Sequence, residues 1–270
     1  MNIVKPNISV VVVTWNSEKD ISDCLTSINN QTYKNIDKVI VVDNLSSDST
    51  VKVIKENFPE IELIESEQNT YFTGGHNIGI HHAIKKYNSD YIAILNPDTF
   101  VMPDWIETMV KNTIKDDKIG ISGSKVKFWH NENEGKINSA GLVYDGFMQA
   151  YDNGFMDDDN GQYDYIKEVD AVTGCCMLLK KEMIVEIGAF WEPLKMYLED
   201  LEFCIRAKKK GWKILYVGST HVGHKWMQST SKNKKIKLDR WKNRNWFLIA
   251  TRHYNLRKKL AVYKNLLLNA

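Results

Sequence analysis

Long apolar stretches are missing from this chain of 270 residues. No run approaches the ~18 residues of a membrane-spanning helix. Ile8 to Trp15 has the apolarity of a signal-peptide core, but no small-residue cleavage site follows it, so it reads as a strand of a cytosolic protein. Cysteine is scarce. Cys24, Cys175, Cys176 and Cys204 include no Cys-x-x-Cys pair, which argues against a zinc or disulfide framework and predicts reduced, buried thiols. Two glycine signatures are also absent. The turn after the first apolar run is Trp15-Asn16-Ser17-Glu18-Lys19, without the Gly-x-Gly-x-x-Gly of a dinucleotide-binding oxidoreductase, and no Gly-x-x-x-x-Gly-Lys-Ser/Thr phosphate loop occurs. Asp157-Asp158-Asp159-Asn160-Gly161 fails as a calcium loop, because placing Gly161 at the sixth position puts Met156 where the first acid is required.

What is present is enough apolar residue, 43% of the chain, for one substantial core. The net charge of +2 conceals an asymmetry. From His221 onward there are 13 Lys and Arg against Asp239 alone, leaving 23 bases and 33 acids before it. A basic tail on an acidic body predicts an anionic partner, against the plain alternative of a solvated basic helix.

The first hundred residues alternate strands and helices. Ile8–Thr14 and Lys38–Asp43 are β-branched runs, Ile61–Ile64 is a short third strand, and Tyr91–Leu95 is a fourth. Ile21, Leu25 and Ile28 fall at helical spacing, as do Val51, Ile54 and Phe58. Thr73 to Gly79, with Gly74 and Gly75, reads as a flexible turn opening a further helix. This order predicts a mostly parallel sheet with helices on both faces. In such a sheet ligands bind at the carboxyl ends of the strands. Asp43 ends the second strand. Asp98 follows the fourth, which must stop at Asn96-Pro97 because proline has no N–H for a ladder. A carboxylate there can hold a hard cation that bridges to phosphate, or can simply occupy a turn. Further on, Met102–Ile114 reads as a helix, Ile119–Phe128 as one or two strands, and Trp129 to Asp170 as a long irregular surface excursion. Lys181–Ile187 is a short helix and Lys213–Val217 a strand. Glu199, Asp200 and Glu202 open a helix. They suit its dipole, or they include a general base for an acceptor hydroxyl. His221 and His224 make a weak zinc signal, but one could complete a cation site.

Val-Val-Val-Thr-Trp-Asn16, Val-Asp-Asn44 with Ser46 and Asp48, Gly74-Gly75-x-Asn77-x-Gly79, Leu-Asn-Pro-Asp98, Val-Thr-Gly174, Leu-Glu-Asp200 and His224 occur in the order that resembles family-2 inverting glycosyltransferases. The resemblance runs over about residues 8 to 250, including Arg244-Asn245. The Asn-Pro-Asp form and the segment ending at Asp164 are most similar to the rhamnosyltransferase branch, which builds bacterial surface polysaccharides. It implies an α/β, GT-A fold in residues 1–225, with 226–270 as a basic helical extension. It implies that Thr14, Asn16, Asp43, Asn44, Gly75, Asn77 and Asn96 contact the nucleotide-sugar, Asp43 accepting the N3–H of uracil or thymine. Asp98 and His224 would hold Mg2+ or Mn2+. Asp200 would be the catalytic base, assisted by Glu199. Asn96 stands where many relatives have an acid, so one ligand charge is lost. The implied partners are a UDP- or dTDP-sugar and a glycan or lipid-linked acceptor, and no nucleic acid. The alternatives are a sugar nucleotidyltransferase, whose glycine- and Arg/Lys-rich loop after the first strand is absent, and a non-catalytic nucleotide- or membrane-binding module. In the tail, Leu256, Leu260, Tyr263 and Leu267 lie at helical spacing beside Arg257, Lys258 and Lys259. That pattern fits a helix lying on the inner face of the cell membrane, or one packed on the body or on a second subunit of a homodimer. Trp241 and Trp246 fit either.

Overall fold

A computed structural model describes residues 5–130, 132–226 and 232–268. β1 (Ile8–Thr14) is buried along its whole length, as a central parallel strand is. It pairs in parallel with β2 (Ile36–Asp43) and, on its other side, with β4 (Tyr91–Leu95). β3 (Glu62–Glu65) extends the sheet beyond β2, also in parallel. α1 (Ile21–Asn29), α2 (Thr50–Asn57) and α3 (Tyr71–His82) make the crossovers. Strand alternation sorts β1 between two cores: Ile8, Val10 and Val12 join one cluster with Leu25, Ile28 and Trp105, while Val11 and Val13 join the other with Ile80, Leu201 and Trp246.

The expected glycine turn is corrected. α3 begins at Tyr71, so Gly74 and Gly75 lie inside the helix. A Cβ on Gly75 would stand 2.6 Å from Val13 Cγ1, and one on Gly79 would stand 2.3 Å from Val11 Cγ1. These glycines let a helix lie close against β1; they do not form a loop.

The second half adds β5 (Thr99–Val101), α4 (Trp105–Thr113), β6 (Ile119–Phe128), β7 (Ile137–Ser139), β8 (Leu142–Tyr144), β9 (Ala150–Asp152), β10 (Ile166–Glu168), β11 (Cys176–Lys180), α5 (Lys181–Ile187), α6 (Glu199–Lys209) and β12 (Lys213–His224). The main sheet runs β10-β12-β6-β11-β4-β1-β2-β3. It is mixed: β11 enters between β4 and β6 antiparallel to both, while β12 is parallel to β6. The Trp129 to Asp170 region is more ordered than its composition implies. β7 pairs with β6, β10 pairs with β12, and β8 with β9 forms a hairpin. β12 outruns the expected Lys213–Val217 and takes in both His221 and His224, past a register shift between Val217 and His221. All four cysteines are free and buried, as expected.

The tail forms α7 (Lys232–His253) and α8 (Leu256–Leu268). Trp246 and Ile249 of α7 are buried in the second core. Glu202 of α6, fully buried, meets Arg206 at 3.1 Å, His253 at 2.9 Å and Arg252 at 3.4 Å, which pins α7 to α6. On α8, Val262 is buried, whereas Leu256, Leu260 and Leu267 are exposed. Among the described residues no helix is long and apolar enough to cross a membrane.

Candidate active site

Three parallel strands end side by side. Thr14 at the end of β1 is in register with Asp43 at the end of β2, and Val12 of β1 pairs with Leu95 of β4. Asn96-Pro97-Asp98 follow at that same edge. The antiparallel course of β11 brings its start there too: the Asn96 N–H donates to Cys175 O at 3.0 Å, and the Gly174 N–H donates to Asp200 Oδ2 at 3.0 Å. Asp43, Asp98 and Asp200 are thus brought to one edge.

Asp43 is buried. Its Oδ2 accepts from the Ser46 N–H at 2.9 Å; its Oδ1, and Thr14 Oγ1 beside it, are buried without a hydrogen-bond partner. An unpaired buried polar atom costs about 1–3 kcal/mol. A ligand N–H is the chemistry that would relieve it.

The other residues expected around the nucleotide are engaged in the fold. Asn16 is exposed, with a left-handed backbone (φ 53°), and its Oδ1 accepts from the Ser47 N–H at 2.8 Å. Asn44 is buried; its Nδ2 donates to Tyr71 O at 2.8 Å and its Oδ1 accepts from the Thr70 N–H at 3.1 Å, holding the start of α3. Asn77 Nδ2 donates to Phe190 O at 2.9 Å, and its Oδ1 accepts from the Phe190 N–H at 2.9 Å. Gly75 packs on Val13. Asn96 is half-buried at the strand edge.

Asp98 Oδ1 lies 3.3 Å from His224 Nε2. The pairing of β5 with β12, Thr99 against His224, sets this approach. Burial works against both charges, but each group's charge and their hydrogen bond outweigh it. Asp98 is held below the usual carboxylate range and His224 above the usual imidazole range. His224 Nδ1 faces Asn138 Oδ1 at 3.2 Å; with the Nδ1 hydrogen given to that oxygen, Nε2 is the nitrogen that would become a ligand once a cation displaces the proton it shares with Asp98. Among the described residues no group of three or more His, Cys, Asp or Glu could hold an ion alone. A nucleotide-bound Mg2+ needs only one or two protein ligands, with phosphate and water supplying the rest. A carboxylate beside a correctly oriented imidazole fits that requirement.

Asp200 Oδ2 accepts from Gly174 N–H, and Oδ1 accepts from the Leu201 N–H at 2.8 Å. Gly174 permits this: a Cβ there would stand 3.0 Å from Phe72 Cζ and 3.4 Å from Asp200 Cβ. Burial raises the pKa of both carboxyls, and the Asp200 charge raises that of Glu199 further. Neighbouring buried carboxyls resist ionising together. The two backbone donors on Asp200 favour its charged form against that burial, whereas Glu199 Oε2 is buried without a partner and has nothing comparable to offset the shift.

Three residues here carry no signal in the sequence. Asn138 and Asp152 come from the short strands of the supposed excursion, and Lys242 from α7. The Asp152 pKa is pushed up to about 6, first by burial and then by the Asp200 charge, while the Ser139 hydroxyl and His224 oppose the shift. The Lys242 charge acts on both Asp152 and Asp200.

Among solved structures, the likeness is to sugar-transfer enzymes. The chain matches a structure of GalNAc-T7 with UDP, GalNAc and Mn2+ at TM-score 0.69 and 16% identity, covering 91% of this chain and 48% of that one. It matches the mannosyltransferase PcManGT of Pyrobaculum calidifontis, with GDP-Man and Mn2+, at TM-score 0.62 and 17% identity, covering 97% and 70%. The fold is the GT-A glycosyltransferase fold. Residues 9–188 match the model of Glycosyl transferase family 2, and the chain belongs to that family. A similar protein is the low-salt glycan biosynthesis hexosyltransferase Agl10 of Haloferax volcanii, 25% identical over 209 residues, 77% of this chain and 64% of that protein. Another is the N-acetylglucosaminyl-diphospho-decaprenol L-rhamnosyltransferase of Mycobacterium tuberculosis, 22% identical over 289 residues, 97% of this chain and 92% of that protein.

Proposed function

We propose that this glycosyltransferase moves a hexose, with rhamnose the first choice, from a UDP- or dTDP-linked donor to a glycan or lipid-linked acceptor of a cell-surface polysaccharide, with inversion. The observation that carries the reading is Asp200: a buried carboxyl of raised pKa, fixed by two backbone N–H groups at the edge where Asp43 ends β2 and Asp98 follows β4. Rhamnose rests on the name of the mycobacterial relative. In this reading residues 1–225 hold the donor and the base, and 226–270 form an extension that adds Lys242 beside them.

Asp43 Oδ1 accepts the N3–H of the base, with Thr14 beside it. Asn16, Asn44, Gly75 and Asn77 shape the pocket through the backbone they hold, and Asn96 lines its floor. Asp98 and His224 are the ligands for Mg2+ or Mn2+, which when bound offsets the charge of the leaving diphosphate. Asp200 takes the proton of the acceptor hydroxyl. The hydroxyl oxygen bonds to the anomeric carbon from the face opposite the diphosphate as the carbon–oxygen bond to the diphosphate breaks. Glu199, protonated, keeps a second negative charge away from the incoming hydroxyl. General-base assistance of this kind contributes roughly 10²–10⁴-fold. The test measures nucleoside diphosphate release from dTDP-rhamnose and UDP-glucose, with a short-chain prenyl-diphosphate N-acetylglucosamine as acceptor. Asp200→Asn abolishes release while UDP and dTDP affinity stays within about twofold. Equal loss of binding and release removes Asp200 from the role of base.

A peripheral contact with an anionic membrane is favoured by α8. Its Val262 face packs inward and leaves Leu256, Leu260 and Leu267 exposed, flanked by Arg257, Lys259 and Lys264. A two-fold dimer through this stripe would oppose like charges, whereas each Lys or Arg near anionic lipid contributes about 1 kcal/mol. Such a protein would work at the inner face of the cell membrane. Co-sedimentation with phosphatidylglycerol vesicles, but not phosphatidylcholine vesicles, lost in Leu260→Ser, supports this; concentration-dependent dimerisation without vesicle binding contradicts it.

A further inference from the structure

We infer that Asn245, on α7, is a positioning residue for Asp200: its side-chain amide fixes the loop that presents the Glu199-Asp200 pair. The inference rests on the reading of Asp200 as the base. Asn245 is fully buried. The two hydrogens of its Nδ2 are shared among three backbone carbonyls, Leu194 O at 3.0 Å, Met196 O at 2.9 Å and Tyr197 O at 2.7 Å. Its Oδ1 accepts from Arg244 Nη1 at 2.8 Å, and the same Nη1 donates to Pro193 O at 2.8 Å. Two adjacent residues of α7 thus gather the carbonyls of the segment from Pro193 to Tyr197.

That segment needs external support. Lys195, Tyr197 and Leu198 have φ values of 61°, 67° and 65°, in the left-handed region that side chains rarely adopt and that persists where the surroundings impose it. Leu198 is the N-cap of α6, and no side chain caps that helix. Glu199 and Asp200 are the first residues of α6, so the backbone course at Tyr197 and Leu198 sets where the Asp200 carboxylate points. The opposite end of its placement is the Gly174 N–H. An amide suits the task at 245 in a way its isosteres do not. Aspartate would turn oxygens toward carbonyl oxygens, and leucine would offer no donor.

The test uses the full chain, with Asn245→Ala, Asn245→Asp and Arg244→Met, the last at an exposed position whose loss leaves the core intact. Amide hydrogen exchange over 194–200 becomes faster in all three. Nucleoside diphosphate release in the assay above falls about 10–100-fold in kcat for Asn245→Ala, the scale of a small misplacement of a reacting group, and by less for Arg244→Met. UDP affinity by calorimetry stays within about twofold. The acidic limb of the pH profile moves to lower pH, because burial is the largest influence raising the Asp200 pKa and a loosened loop admits water; Glu199, Asp152 and Lys242 are the charged groups facing it. Unchanged loop exchange and kcat in both Asn245→Ala and Arg244→Met overturn the inference, as does an equal fall of UDP affinity and kcat. If Asp200→Asn itself remains active, the base reading fails and takes this inference with it. If Asp200→Asn is inactive while the Asn245 variants are not, this inference alone fails.

Discussion

Replacing Asp43 by asparagine separates recognition of a base from a structural role, because the two predict opposite changes. In the native chain Oδ2 accepts from the Ser46 N–H at 2.9 Å and Oδ1 is buried with no partner. In Asp43→Asn the amide oxygen can keep the Ser46 bond, and an NH2 group replaces the lone oxygen. The free protein loses no hydrogen bond and sheds a buried, unpaired carboxylate oxygen, so its urea midpoint does not fall. Binding responds differently. Uracil and thymine present N3–H, which would now meet a donor. A hydrogen bond to a charged group is worth about 1.5–3 kcal/mol, and each 1.4 kcal/mol is about tenfold. UDP and dTDP therefore weaken about ten- to a hundredfold. Cytosine carries an acceptor at N3, so CDP gains affinity. Calorimetry with the three nucleotides, beside a urea titration, reads all of this. Equal weakening of all three, or a lowered urea midpoint accompanying the loss, refutes the reasoning and makes Asp43 a structural residue.

Two further outcomes test the frame. Gly79→Ala places a Cβ 2.3 Å from Val11 Cγ1; overpacking of about 1–3 kcal/mol, less about 1 kcal/mol of helix propensity, leaves a net destabilisation that Val11→Ala should largely restore in urea unfolding, and an unchanged midpoint in Gly79→Ala refutes the packing account. Glu202→Gln removes the charge from a buried cluster with Arg206, His253 and Arg252, at a cost of about 3–5 kcal/mol. Burial opposes the Glu202 charge, but His253 and Arg206 outweigh it and hold its folded-state pKa below the usual value. Its contribution is therefore full above the unfolded pKa of about 4.3 and is lost as pH falls through the folded value. The gap between wild type and variant in urea midpoint closes below about pH 4; a gap that is constant from pH 7 to pH 3 refutes the assignment.

The strands nearest the centre were legible because burial on both faces leaves a mark: Val10–Val13 in β1, Val39–Val42 in β2 and Ile92–Leu95 in β4 are runs of Val, Ile, Leu and Ala leading to Thr14, Asp43 and Asn96. The start of α3 was not, because Thr70 makes no side-chain cap and Tyr71 enters from a left-handed conformation, so the sequence offers glycines where the eye expects a turn. β7, β8, β9 and β10 have three residues each, too few for an alternation to declare itself. Asn138 and Asp152 were hidden with them. From the residues, either His221 or His224 could complete the cation site of Asp98, and only the resemblance chose His224; the register of β5 against β12 supplies the physical link. Lys242 and Asn245 could not be placed from the sequence, since their roles depend on where α7 docks, and that is set by Trp246, Ile249 and the Glu202 cluster.

The central claim is that the ends of β1, β2 and β4 form a nucleotide-diphosphate site completed by a cation on Asp98 and His224. Calorimetric titration with UDP and dTDP, each with and without Mn2+, in wild type and Asp98→Ala, tests it most directly. The account predicts that at least one nucleotide binds, that Mn2+ strengthens its binding, and that Asp98→Ala removes the strengthening. A folded protein that binds neither nucleotide, or whose Asp98→Ala variant keeps the full effect of Mn2+, contradicts it.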